Sequence, residues 1–231
     1  MARSSFTAVK AIKFARLASS LETPSSSNPS VVTAARSLQK KLVSTLPRST
    51  MGSKNALIVA ADADLDVAVN AAFMGGYSGT GQKCTASSRL IVEDSVHDAF
   101  VDKLRARLES VQVGHALEDG VDMGPVASQV QLDENLAWID RGVKEGATLL
   151  CGGEALERGA PGYYMAPALF VDSDNSMAIN REELFAPIAC VIRANDYELA
   201  VQFVLDSNFG LSAGIVTQSL AIATDFKKRA V

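Results

Sequence analysis

Residues 55–93 read NALIVAADADLDVAVNAAFMGGYSGTGQKCTASSRLIVE and contain two apolar runs separated by a helical pattern. The first run, Asn55–Ala61, and the second, Ser88–Glu93, have the length and composition of buried strands. Between them, Asp62 or Asp64 offers a side-chain cap for the start of a helix. The order strand, helix, strand predicts two parallel strands joined by a helix.

The alternation of extended and helical patterns continues along the rest of the chain. The segment Ser95–Asp98 (SVHD) has the form of a capping box, and Ser128 predicts the start of a later helix with Val143 on its buried face. Further strands are predicted at Ala147–Cys151, Ala168–Val171, Pro187–Arg193 and Ala213–Thr217, and further helices at Tyr197–Leu205 and Leu220–Ala230. We therefore expect residues 51–231 to form a three-layer α/β domain with a mostly parallel sheet.

Composition excludes several classes of protein. With 48% hydrophobic and 21% charged residues among 231, the chain is not disordered throughout. No apolar run reaches the ~18 residues that a membrane-spanning helix needs. Three cysteines cannot build a disulfide scaffold, so reduced thiols and a cytoplasmic location are expected. His97 and His115 have no cysteine or acidic cluster at ligand spacing, which argues against a metal site.

Charge is divided unevenly along the chain. Residues 1–50 carry a net charge of +7, whereas residues 51–231 carry −11, so nucleic acid is not an expected partner of the main body. The first segment is rich in basic residues and serine, with Glu22 as its single acid. It is typical of a mitochondrial targeting sequence or of a basic surface helix or domain remnant. A helix is predicted over Val31–Leu46.

One glycine-rich loop, Gly75–Thr85, contains four glycines in seven residues and then a cysteine. The glycines do not match the dinucleotide fingerprint, and no Lys-Ser/Thr pair follows them as in a phosphate-binding loop. Cys84 follows Lys83, and a neighbouring cation favours the nucleophilic thiolate. The alternative is a buried, small apolar residue. Cys151 and Cys190 lie in predicted apolar strands, where burial as core residues is expected.

Six segments together resemble the aldehyde dehydrogenase superfamily, over the portion that forms its catalytic domain. Gly81–Arg89 (GQKCTASSR) is similar to the family's nucleophile signature, and Glu182–Pro187 (EELFAP) to its Glu-Glu-Leu/Ile-Phe-Gly-Pro segment. The other similar segments are Met51–Asn55 with Ala61–Asp66, Met123–Pro125, Gly152-Gly153 with Gly162–Pro167, and Asn208–Gly214. The Gln-Lys-Cys and Met-Gly-Ser-Lys-Asn sequences most resemble the semialdehyde branch, such as 2-oxoglutarate semialdehyde dehydrogenases.

The resemblance implies oxidation of a small aldehyde to a carboxylic acid with NAD or NADP. Cys84 would add to the carbonyl to give a thiohemiacetal, and hydride transfer to the nicotinamide would leave a thioester. The backbone N–H of Cys84 would help to hold the oxyanion. Glu183 would bind the nicotinamide ribose, and Phe185 would lie beside the nicotinamide. Full-length members of the family would be homo-oligomers.

Several family features are absent from the sequence. Thr50 occupies the place of the glutamate that activates water for thioester hydrolysis, and a threonine hydroxyl is not a base near neutral pH. The upstream Pro-Trp-Asn and downstream Pro-Phe-Gly-Gly segments are not found. A catalytic domain incomplete at both ends and truncated at its C-terminus is therefore expected, with an inactive fragment as the alternative. A cofactor-independent cysteine esterase is a second alternative, although no histidine is recognisable as the partner of Cys84.

Overall fold

The computed structural model describes residues 53–230. The basic segment 1–50, including the predicted helix Val31–Leu46 and Thr50, lies outside the described residues. The strands are β1 Asn55–Val59, β2 Ser87–Glu93, β3 Thr148–Cys151, β4 Ala155–Leu156, β5 Tyr164–Met165, β6 Ala168–Val171, β7 Ile188–Ala194 and β8 Ala213–Val216. The helices are α1 Leu65–Gly76, α2 Asp94–Glu109, α3 Gln129–Lys144, α4 Ala178–Arg181, α5 Tyr197–Leu205 and α6 Leu220–Arg229.

Six of the strands form one sheet in the order β3-β6-β7-β2-β1-β8. In this order, every pair of neighbouring strands runs parallel except the first, because the edge strand β3 is antiparallel to β6. β4 and β5 form a separate antiparallel pair. The sequence therefore correctly predicted a mostly parallel sheet with helical connections.

Alternate residues of a strand point to opposite faces of the sheet, and helices pack on both faces. On one face, Leu57 and Leu90 belong to a core that includes α1 and α2. On the other face, Ile58 and Ile91 pack with α5 and α6, and Phe170 lies in a core that includes α3. Helices on both sides of a sheet make three layers, which confirms the predicted fold class.

Two local predictions were wrong. The capping box at Ser95 does not form, because α2 begins at Asp94, directly after β2, and its N-cap residue Glu93 makes no side-chain cap. Val143 is exposed, not buried. Its neighbour Gly142 faces the core instead, where an added Cβ would lie 2.6 Å from the Cδ1 of Ile179. By contrast, Asp64 and Ser128 cap their helices as predicted.

The parallel arrangement brings the motif segments to one edge of the sheet. Ser53-Lys54 precedes β1, the Cys84 loop precedes β2, Glu182–Pro187 precedes β7 and Asn208–Ser212 precedes β8. Because parallel strands share a direction, the residues before them meet at their amino ends. Within the described part of the chain, no helix is long and apolar enough to cross a membrane.

Candidate active site

Cys84 lies on a tight turn at the amino end of β2. The turn is closed by a hydrogen bond of 2.9 Å from the N–H of Ala86 to the carbonyl of Lys83. Cys84 is therefore the second residue of the turn, and its side chain is exposed. Among the described residues, its backbone N–H donates to no acceptor. An exposed thiol beside a free amide donor is the minimum arrangement for nucleophilic addition to a carbonyl.

The buried side chain of Asn55 holds this turn in place. Its Nδ2 donates to the carbonyl oxygens of Cys84 at 2.9 Å and Ala86 at 3.0 Å. Its Oδ1 accepts from the N–H of Ser212 at 3.0 Å. One amide thus links the start of β1, the Cys84 turn and the segment before β8. Asn55 stands in the Met51–Asn55 segment, but nothing in that motif predicted this role.

The glycine-rich loop approaches the Cys84 turn through a left-handed backbone. Gly79, Thr80 and Gly81 have φ values of 66°, 58° and 65°. A left-handed threonine costs about 1–2 kcal/mol, since its Cβ crowds the backbone. At Gly81 a Cβ would overlap the carbonyl oxygen of Ala186, so the loop packs directly on the segment that carries Phe185. Glycine at position 81 is required by this close approach.

Gln82 gives the loop a further attachment. Its Oε1 accepts from the hydroxyl of Thr80 at 2.9 Å and from the N–H of Ala127 at 3.1 Å. The second bond joins the loop to the segment after Met123–Pro125, another of the motif segments. Gln82 stands in the nucleophile signature, but nothing in its sequence predicted these contacts.

Lys83 does not act as the sequence suggested. Its Nζ donates at 3.0 Å to the carbonyl of Met74 in the last turn of α1, where a cation is favourable. Burial lowers the pKa of Lys83. Among the hydrogen bonds of the described residues, none joins its ammonium group to the Cys84 thiol. Sequence adjacency therefore does not provide a direct cation partner for Cys84.

Glu183 and Phe185 lie next to this loop. Both side chains are exposed. Oε1 of Glu183 accepts at 2.8 Å from the N–H of Ser53, and Phe185 has a left-handed φ of 55°. Together with Ser53 and Lys83 they border a crevice of about 10 Å³, which has room for about one water molecule. The described residues alone therefore do not enclose a nucleotide-sized cavity here.

The other two cysteines differ from Cys84 in their surroundings. Cys190 is buried, and burial raises the pKa of its thiol to about 12. Cys151 is half-buried, which corrects the expectation of a fully buried residue, and burial also raises the pKa of its thiol. Neither is as accessible as Cys84.

The histidines do not complete a cysteine–histidine pair within the described residues. His97 is buried on α2 and its Nδ1 lies 2.8 Å from Asp98 Oδ1. The Nδ1 of His115 accepts from the N–H of Leu117 in a loop. Between residues 53 and 230, neither ring is hydrogen-bonded to Cys84, so nothing favours the esterase alternative.

Arg89 is a buried structural residue that the sequence analysis left without a role. Its side chain donates to the carbonyl of Lys54 at 3.0 Å, to Asn175 Oδ1 at 2.9 Å and to the carbonyl of Phe203 at 2.7 Å. Burial lowers its pKa to about 10. The signal in the sequence was a charged residue inside an apolar run, which in a strand must find buried acceptors.

Comparisons with known proteins identify the family of the chain. The sequence profile of the aldehyde dehydrogenase family matches residues 30–230. The alpha-ketoglutaric semialdehyde dehydrogenase of Bacillus subtilis is 44% identical over 178 residues, covering 76% of this chain and 36% of its own length. An aldehyde dehydrogenase of Leishmania tarentolae, named as mitochondrial, is 43% identical over 173 residues, covering 75% of this chain and 34% of its own length. The chain thus spans about a third of the length of these curated relatives.

A solved structure gives the same result in three dimensions. The betaine aldehyde dehydrogenase of Staphylococcus aureus, in complex with NAD⁺, has a TM-score of 0.77 and 28% identity. The match covers 86% of this chain and 40% of that structure. The resemblance inferred from the six motif segments is confirmed by sequence and structure alike, and the chain belongs to the aldehyde dehydrogenase family.

Proposed function

We propose that this chain carries the nucleophile half of an aldehyde dehydrogenase active site, with Cys84 as the nucleophile. The observation that carries the proposal is the exposed thiol on a turn whose carbonyls are held by buried Asn55. Fixing the backbone of a nucleophile removes part of the entropy cost of reaching the attack geometry. Neither Cys151 nor Cys190 combines exposure with such a support.

The first chemical step needs only residues of this turn. The thiolate of Cys84 attacks the carbonyl carbon of a small aldehyde, a C–S bond forms, and the carbonyl electron pair moves to oxygen. The backbone N–H of Cys84 donates to that oxyanion, which then takes a proton to give the thiohemiacetal. The name of the Bacillus subtilis relative supports a semialdehyde as the substrate class.

The residues present fit one end of a nicotinamide cofactor. When bound, NAD or NADP would supply the hydride acceptor for oxidation of the aldehyde. The exposed carboxylate of Glu183 can accept hydrogen bonds from ribose hydroxyls, and the exposed ring of Phe185 offers an apolar surface to the nicotinamide. The NAD⁺ complex of the Staphylococcus aureus relative supports this assignment. The remaining contacts to the dinucleotide would come from outside residues 53–230.

Thr50 is the reason why we expect an aldehyde to add to Cys84 without sustained turnover. It stands where the family has the glutamate that activates water, and loss of a general base typically costs ~10²–10⁴-fold in rate. We therefore propose that the chain alone adds aldehydes at Cys84 without sustained oxidation.

Alkylation of the native chain tests the nucleophile assignment. Brief treatment with iodoacetamide followed by peptide mapping should label Cys84 at least about tenfold faster than Cys151 or Cys190, because only a thiolate with access to solvent reacts quickly. Excess propanal should protect Cys84, whereas propanol, the matched control, should not. Equal labelling of all three cysteines would contradict the assignment.

A spectroscopic assay then separates addition from turnover. With an aldehyde and NAD⁺ or NADP⁺, the wild-type chain should give no sustained rise in reduced nicotinamide absorbance. A sustained rise that disappears in Cys84→Ala would show that the chain builds a complete site and that the inactive-fragment alternative is wrong.

A further inference from the structure

A second cavity is lined by Lys54 and Ala56, the residues on either side of Asn55. It has a volume of about 430 Å³, within the range of small-molecule sites. Its walls are formed by the start of β1, the start of β2, the segment from the end of α5 to the start of β8, and Ala230 directly after α6. Cys84, Glu183 and Phe185 are not among its lining residues, so it is distinct from the candidate active site.

Two buried cations contribute to the wall of this cavity. Lys54 and Arg89 are each only 2% exposed, yet both line the cavity. Buried charges normally lie beside an opposite charge, because an unpaired charge in a protein interior is costly. No aspartate or glutamate lines this cavity among the described residues. The local charge balance therefore favours an anionic ligand.

Both cations retain hydrogen-bonding capacity. Nε and Nη1 of Arg89 are satisfied by protein acceptors, but its Nη2 makes a single long contact of 3.4 Å, to the carbonyl of Val204. A guanidinium group has five N–H donors, so Nη2 has a donor to spare. Within residues 53–230, the Nζ of Lys54 is bonded to no acceptor. Two donors of the same charge therefore remain for a ligand.

Three carboxylates lie near this pair but outside the cavity lining: Glu182 and Glu183 oppose the lowering of the Lys54 pKa, and Asp206 opposes that of Arg89. Asp206 accepts from Asn175 at 3.0 Å and from Arg181 at 2.9 Å. Glu183 accepts from the N–H of Ser53, on the side of the candidate active site. The remaining wall is mixed, with the apolar side chains of Val204, Leu205 and Phe209 beside polar Ser207, Asn208 and Ser212.

We propose that this cavity binds a small organic carboxylate, with its carboxylate on Lys54 and Arg89 and its hydrocarbon part against the apolar wall. A carboxylate can accept from both cations at once, and charge-assisted bonds of this kind are strong. The apolar wall favours an organic anion over inorganic phosphate, which has no hydrocarbon part. The site is independent of any chemistry at Cys84.

The ionisation of Lys54 makes the site sensitive to pH. Burial and, to a smaller extent, the charge of Arg89 lower the pKa of Lys54 to about 8, against the opposing effects of Cys190, Glu182 and Glu183. A bound carboxylate favours the protonated ammonium group. Carboxylates are already ionised above about pH 6. Affinity should therefore be constant between pH 6 and pH 7 and fall as pH rises through about 8, by up to tenfold per pH unit.

Calorimetry on the full chain tests the proposal with sodium glutarate as the probe. Glutaramide, which has the same carbon skeleton without charge, and sodium phosphate at equal ionic strength are the comparison ligands. We expect saturable binding of glutarate at pH 6.5 and at least about tenfold weaker binding of the other two. Equal heats for glutarate and phosphate would indicate general anion screening and overturn the proposal.

Substitution of Lys54 tests whether glutarate binds in this cavity. Lys54→Met keeps the aliphatic stem, removes the charge and should weaken glutarate binding at least about tenfold. The control is Lys103→Met, which removes an exposed lysine paired with Asp66, and it should bind as the wild type does. Should Lys54→Met fail to fold, the wild-type pH series decides alone: affinity that does not fall between pH 7 and pH 9 overturns the assignment of Lys54.

Discussion

Cys84 and Phe185 both lie at the amino ends of the parallel strands, but they are held there in different ways. The Cys84 turn is attached to three other segments through buried Asn55, partly buried Gln82 and the tight contact of Gly81 with Ala186. In the Glu183–Phe185 segment, the side chains of Glu183 and Phe185 are exposed, and only Leu184 between them is buried. The carboxylate of Glu183 accepts one hydrogen bond, from the N–H of Ser53, and the carbonyl of Leu184 accepts another, from Gln131.

This difference distinguishes the residues of the site that stabilise the fold from the residues whose side chains are available to bind a ligand. The backbone around the nucleophile is built by residues 53–230 themselves, so changes there should cost stability. The side chains of Glu183 and Phe185 are available for a ligand, so changes there should affect binding and leave folding nearly intact. Substitutions on the two sides can test this distinction directly.

The largest effect is expected for Gly81→Ala. The new Cβ would occupy a left-handed position and overlap the carbonyl of Ala186, which cannot move without displacing Phe185. We expect a loss of about 3–5 kcal/mol in the free energy of unfolding, measured with urea.

Gly79→Ala is the matched control for that substitution. Gly79 has almost the same φ, 66°, but an added Cβ would meet only the flexible side chain of Lys83, at 3.9 Å. It should lose only about 1–2 kcal/mol, the cost of a left-handed alanine. Similar losses in both variants would show that the contact with Ala186 is unimportant.

Asn55→Ala should have the next largest effect. It leaves the carbonyls of Cys84 and Ala86 and the N–H of Ser212 without their partner. We expect a loss of about 2–4 kcal/mol in the free energy of unfolding and slower alkylation of Cys84 at constant labelling of Cys151.

Asn70→Ala provides the comparison for Asn55. Asn70 is exposed on α1 and should change stability by less than about 0.5 kcal/mol. Unchanged Cys84 alkylation in a folded Asn55→Ala variant would refute the role of Asn55 in positioning the turn.

The sequence predicted what depends on local pattern. Ala168–Val171 and Tyr197–Leu205 occur with the predicted bounds, since the first is a short apolar run and the second has a helical pattern after the capping residue Asp196. The prediction for Val143 was wrong because close packing on Gly142 rotated the buried face of α3. Hydrophobic periodicity alone does not predict that a glycine will face the core.

The candidate site was predictable only in part, for a related reason. Cys84, Glu183 and Phe185 were found from short motifs, and the structure places their segments at one edge of the sheet. The role of Asn55 depends on contacts across 29 and 157 residues of sequence, which no local pattern contains. The direction of Lys83 toward Met74 is likewise set by the packing of the loop on α1.

The smallest effect on folding is expected for Glu183→Gln, the substitution that most sharply tests the ligand-binding side. The glutamine oxygen can still accept from the N–H of Ser53, and the side chain is exposed, so the free energy of unfolding should change by less than about 0.5 kcal/mol. Glu182→Gln, also exposed, is the neighbouring control and should behave in the same way. The competing possibility is that Glu183 forms an ion pair with Lys54, because the carboxylates of Glu182 and Glu183 both raise the pKa of that lysine. In that case Glu183→Gln would leave a buried ammonium group without its counter-charge, and urea unfolding would show a loss of about 3 kcal/mol or more. Such a loss would make Glu183 part of the folded core, and the division between a folding half and a binding half would not hold.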